Sequence, residues 1–149
     1  MLKTPATLLL GILILTACGG EAPDTRPGQP VAHRRHSFKE IIKVFEPIGV
    51  MMRTDNYNAG KFKLLAEELM ARRDDPWQYF QPDTLYPPSH AKPEVWSDPG
   101  KFAIDKKAFF DATDKLAAVA GTPDKRVARA AFEAVETTCS DCHKAFKTR

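Results

Sequence analysis

Two thiols three residues apart and an imidazole directly after the second stand near the C-terminus, in the run Cys139-Ser140-Asp141-Cys142-His143. That pattern is the attachment site of a c-type haem. Each sulfur adds across a vinyl group to form a thioether, and the imidazole becomes an axial ligand of the iron through its unprotonated nitrogen. The spacing asks for a helix, on which residues three apart share a side, so that Cys139 and Cys142 grip one porphyrin edge and His143 is directed under the metal. Ala128, Ala131, Phe132, Val135, Cys139, Cys142 and Phe146 fall on one stripe at intervals of three and four, which sets the haem against a bundle-facing surface. The same cysteines have two other readings. A thiol–disulfide redox pair calls for the N-terminal end of a helix that follows a strand, where the helix dipole lowers a thiol pKa, and no strand pattern precedes this one. A structural zinc site needs four ligands, and only His33, His36 and His90 remain as nitrogen donors, without a second cysteine pair.

The chain opens with Lys3, an apolar core from Leu8 to Leu15, and small residues after it. This has signal-peptide length and is too short to span a bilayer. Leu15-Thr16-Ala17-Cys18 resembles the lipobox of bacterial lipoproteins, in which the cysteine is acylated and the chain is cut before it. We therefore expect residues 1–17 to be a lipoprotein signal peptide, Cys18 to carry lipid, and residues 18–31, almost devoid of apolar side chains, to be a flexible tether. The domain would begin at residue 32 and be held at the periplasmic side of the cell envelope by acyl chains alone. The alternative is a plain signal peptide and a soluble periplasmic protein. Gly19 after the lipid-bearing cysteine is compatible with outer-membrane sorting.

Removing residues 1–17 leaves 132, enough for one domain with one core. The formal net charge is +3, Lys3 is the only charge lost with the leader, and the Lys and Arg residues are scattered. Nucleic-acid binding, which shows as a basic stripe, is not indicated.

The body reads as helix apart from one proline-rich stretch. From His33 to Arg53, Phe38, Ile41, Ile42, Phe45, Ile48 and Met52 recur at helical spacing, with a bend expected at Pro47. Asn58 caps a second helix whose buried face is Phe62, Leu65, Ala66, Leu69 and Met70, ending before Pro76. Residues 74–97 hold five prolines with Trp77, Tyr79, Phe80, Tyr86 and Trp96, a connection expected to pack across one end of the bundle. Asp98-Pro99 opens a third helix with the stripe Phe102, Phe109, Ala112, Leu116 and Val119, closed by Gly121. Thr122-Pro123 repeats the start signal for a fourth, running to about Lys147. Four amphipathic helices of this length bury their stripes together as an all-α, antiparallel four-helix bundle with a long crossing loop between helices 2 and 3 and haem near the end of helix 4.

A haem motif at the end of the last helix of such a bundle resembles the cytochrome c′ family, the class II c-type cytochromes. The segment Ala91-Lys92-Pro93-Glu94-Val95-Trp96-Ser97-Asp98 with Phe102 is similar to the one that opens that family's third helix, and Pro76-Trp77 with Phe80 to the one that closes its second. The resemblance covers His33 to Arg149. It implies one covalent haem c bound by Cys139, Cys142 and His143, with His143 the metal ligand. It further implies Arg34 near a propionate, Phe38 as the apolar side chain over the other face of the iron, Trp96 and Phe102 beside the haem, and Lys147 as the cation four residues after the axial histidine. Lys147 keeps the charge of the arginine common at that place and loses its planar fork. Met51 and Met52 are expected in the core and His36 at the surface.

The function so implied is binding of small gases, nitric oxide first and carbon monoxide second, at a pentacoordinate iron, or transfer of single electrons to redox partner proteins. A low-spin, six-coordinate electron carrier of the same family is the alternative. A thiol–disulfide oxidoreductase and an interaction lipoprotein with a merely structural haem are rivals of other classes. No nucleophile with an adjoining base and no phosphate-binding loop appears, so enzymatic activity is not expected. The resemblance also implies a possible homodimer through the first two helices, whose outer faces read as mostly charged.

Overall fold

The computed structural model describes residues 22–148, and the expected signal peptide and Cys18 lie outside them. Within that span the protein is helical: α1 Pro30–Arg53, α2 Ala59–Arg72, a 3-10 turn Asp75–Tyr79, the one-turn α3 Glu94–Ser97, α4 Pro99–Ala118 and α5 Lys125–Phe146. The long helices pack as α1 with α2, α2 with α4 and α4 with α5. This is the four-helix bundle expected, with α3 added as a single turn before α4.

Local chemistry explains most boundaries. The Asn58 side chain accepts from Lys61 N at 2.8 Å and starts α2, and Asp98 does the same for α4 by accepting from Lys101 N at 3.0 Å, with Pro99 in the first turn. α5 departs from expectation: Asp124, not Thr122, caps it by accepting from Arg126 N, while Thr122 Oγ1 accepts from Asp124 N within the preceding turn. α1 runs through Pro47 without interruption.

The start of the domain also differs. Residues 24–31 are folded and not tether: Asp24 is 3 % exposed and Val31 fully buried. Gln29 offers α1 no side-chain cap. Asp24, five residues upstream, supplies one, its Oδ2 accepting from Val31 N at 2.9 Å and Ala32 N at 3.2 Å, while the Tyr86 hydroxyl of the crossing segment donates to its Oδ1 at 3.0 Å. A carboxylate that far before a helix gives no periodic signal, so the sequence did not reveal it.

The core is Ile41, Val44, Phe45, Ile48, Met51 and Met52 from α1, Phe62, Ala66 and Leu69 from α2, Phe109, Ala112 and Leu116 from α4, and Ala128, Phe132 and Val135 from α5. Met51 and Met52 are core, as expected. Ile42, placed on the buried stripe by its spacing, is instead 53 % exposed, because the stripe turns toward Val44 and Phe45.

Candidate haem site

Cys139 and Cys142 are free thiols, half-buried on the α5 face, and His143 beside them is exposed. They sit in the last third of their helix, near its negative end, which is the wrong end for thiolate stabilisation. Burial raises both thiol pKa values. That of Cys142 is pushed up to about 11, with Asp105 of α4 adding to the effect. Enough of the His143 ring is covered that desolvation, and then the Lys147 ammonium, pull its pKa below the ordinary imidazole value. Thiols held protonated disfavour a dithiol redox pair, and a neutral imidazole suits iron ligation.

A cage of rings begins at Phe146, on the same helix as this trio. Phe102 of α4 meets Phe146, three residues past His143, edge-on at 5.2 Å, and Phe80 at 5.0 Å. Phe38 of α1 meets Trp77 edge-on at 5.6 Å and Phe80 at 6.2 Å. Trp77 is the hub, also touching Phe102, Phe109 and Phe110, and its Nε1 donates to Arg73 O at 2.6 Å. Rings from α1, the 3-10 turn, α4 and α5 thus converge with no ligating side chain among them. Among the described residues no set of three or more His, Cys, Asp or Glu converges as a metal cage. Two thiols, one imidazole and an apolar ring wall fit haem c.

The remaining expected residues are placed as follows. Arg34 is buried and its guanidinium is committed to the crossing segment, donating to Tyr79 O, Thr84 Oγ1, Thr84 O and Ser89 Oγ at 2.8–3.3 Å while lying 4.5 Å over the Phe80 ring. It therefore holds the wall of the cage. Trp96 stands apart from the ring cluster, its Nε1 donating to Gln81 O at 3.0 Å and its ring 6.0 Å from the Arg34 guanidinium. Trp77 and Phe80, not singled out for the haem in the sequence, are rings that pack on Phe102, and the Pro76-Trp77 segment was the signal available for them. Lys147 follows α5, its backbone N–H donating to His143 O, and its strand-like backbone pairs with Ala91. His36 is exposed, as expected.

A helical bundle with paired cysteines and a histidine at the end of its last helix defines a class II c-type cytochrome. The cytochrome c′ family profile matches residues 29–147. The cytochrome c′ of Alcaligenes xylosoxydans xylosoxydans is 37 % identical over 93 residues, 62 % of this chain and 72 % of that protein. That of Rhodospirillum rubrum is 27 % identical over 125 residues, 81 % of this chain and 83 % of that protein. The structure of a ferrous variant of cytochrome c prime from Alcaligenes xylosoxidans with bound nitric oxide superposes with a TM-score of 0.77 at 31 % identity, covering 84 % of this chain and 98 % of that one. A carbon monoxide-bound variant of the same protein gives 0.77 at 30 % over the same shares. The chain belongs to the cytochrome c′ family, and its cofactor is covalently attached haem c.

Proposed function

We propose that this chain captures small neutral gases, nitric oxide first and carbon monoxide second, at an iron with His143 as its one protein ligand, and that it also exchanges single electrons. When bound, the haem supplies a ferrous centre to which weakly donating diatomic ligands add. The observation that carries the reading is the makeup of the cage: Phe38 and its neighbours are rings that exclude water and ligate nothing. Relatives of this chain with bound nitric oxide and carbon monoxide support it. His33 stacks on Tyr79 at 5.2 Å, outside the ring cluster, and Met51 lies 13 residues beyond Phe38, about 20 Å along α1.

His143 would hold the metal, Cys139 and Cys142 would take the porphyrin through thioethers, Phe38 would shield the iron from water, and Arg34 keeps Phe80 in place beside Phe38. Lys147 biases His143 toward its neutral, ligating form. Among the described residues no helix is long and apolar enough to cross a membrane. We place the protein at the periplasmic side of the envelope, anchored by lipid on Cys18. We also read it as a homodimer through α1 and α2, whose mostly charged outer faces also expose Ile42 and Val50 of α1 and Leu64 of α2.

The test is the optical spectrum of the ferrous protein before and after nitric oxide. A high-spin Soret band that shifts on addition supports the proposal. Sharp low-spin bands indifferent to the gas overturn it in favour of the six-coordinate electron carrier.

A further inference from the structure

The N-terminal segment enters the folded domain at Asp24, and the place of that entry decides which end of the bundle a lipid on Cys18 holds down. Asp24 is fastened by the Val31, Ala32 and Arg26 backbone amides and by the Tyr86 hydroxyl, so it cannot drift from the start of α1. The start of α1 is also the haem end. Arg34 reaches Ser89 at 2.8 Å, and the same crossing segment pairs with the end of α5 through Lys92 N to Phe146 O at 2.9 Å and Thr148 N to His90 O at 2.8 Å. The opposite end is closed by the Tyr57 hydroxyl donating to Thr122 O.

From Cys18 to Asp24 there are six residue steps, about 20 Å when fully extended. α1 alone, at 24 residues, is about 36 Å long. The leash is thus shorter than the bundle, and whatever the tilt of the domain Asp24, at the haem end, stays within about 20 Å of the anchor. That end has a surface suited to the headgroup region. An open cleft of about 680 Å³ is lined by Arg26, Asp83, Leu85, Pro93, Trp96 and Ser97. Leu85 is 45 % exposed there, and the Arg26 guanidinium lies 4.0 Å over the Tyr86 ring at the point where the leash arrives. Arginine, tryptophan and an exposed aliphatic side chain are the residues that settle at a lipid–water boundary.

We propose that the haem end of the bundle rests on the phospholipid surface, with the Arg26–Leu85–Trp96 cleft in contact with headgroups. This rests on the reading of Cys18 as the lipidated residue. The Tyr57–Thr122 end then faces away from the bilayer.

The experiment uses the lipidated full-chain holoprotein on vesicles of phosphatidylethanolamine and phosphatidylglycerol. A benzophenone photocrosslinker is placed on Ser97→Cys at the haem end or on Asp55→Cys at the far end. Flotation with vesicles that is lost in Cys18→Ala is expected. Failure to float, or flotation of Cys18→Ala, overturns the anchor and the orientation together. Among floated protein, several-fold more lipid adduct is expected from position 97 than from position 55, and a twelve-residue Gly/Ser insertion after Gly19 is expected to shrink the ratio. Equal yields from the two positions in the native-length protein overturn the orientation while leaving the anchor standing. Arg26→Glu with Leu85→Asp is expected to lower the adduct at position 97 without loss of flotation or of the haem spectrum, and an unchanged adduct overturns the headgroup contact.

Discussion

At the scale of single residues, Phe38 and Arg34 meet the aromatic cluster in different ways, one edge-on to its rings and the other stacked over Phe80. Phe38 is half-buried and held edge-on by Trp77 and Phe80, so its ring has little freedom to swing aside. Phe38→Ala is expected to speed association of carbon monoxide with the ferrous protein by about tenfold, equivalent to ~1.4 kcal/mol of barrier, with haem content unchanged. Flash photolysis reads this directly, and an unaltered rate would remove Phe38 from the ligand path. Arg34 spends four hydrogen bonds on the crossing segment. Arg34→Gln strands several of those acceptors and is expected to cost about 1–3 kcal/mol in denaturant unfolding. A change confined to the reduction potential, with stability intact, would instead mark Arg34 as a propionate partner.

Among the elements, the close approach of α1 to α5 turns on one glycine. A Cβ at Gly49 would stand 2.9 Å from Phe132 Cζ and 2.8 Å from an Arg53 nitrogen. Arg53 is exposed and can move, whereas Phe132 is buried and stacked on Phe45 at 4.7 Å. Gly49→Ala gains about 1 kcal/mol in helix propensity, yet overpacking at Phe132 should outweigh it, for a net loss of about 1–2 kcal/mol in chemical denaturation.

The start of α1 carries a pH dependence of its own. Desolvation opposes ionisation of Asp24, but the hydrogen bonds from Arg26, Ala32, Tyr86 and Val31 outweigh it and hold the carboxyl below its usual pKa of 3.8. A group depressed in the folded state stabilises above its unfolded pKa and loses that contribution as pH falls through the folded value. Wild type should therefore exceed Asp24→Asn in melting temperature near neutrality, with the gap narrowing below about pH 4. A gap constant from pH 7 to pH 3 would show that the carboxylate charge is not what fastens the segment.

For the molecule as a whole, the outward apolar residues of α1 and α2 set the expectation of pairing. Sedimentation equilibrium of the holoprotein should give a dimer, and Ile42→Lys with Leu64→Lys should give a monomer with the same visible spectrum, since both side chains are exposed. A wild-type monomer at high concentration would end that reading.

The sequence by itself determined the cofactor and the class of fold. Cys139, Cys142 and His143 are consecutive chemistry on one helical turn, and helices declare themselves through periodicity and caps such as Asn58 and Asp98, all of which are local along the chain. Tertiary structure alone decided which rings make the cage, because Phe38, Trp77, Phe102 and Phe146 meet across four elements and nothing in their spacing ranks Trp77 above Trp96. It likewise decided where the domain begins. The bond between Asp24 and Tyr86 joins residues 62 apart, and a contact of that separation is made by the packed fold, with no trace in the periodicity of either segment.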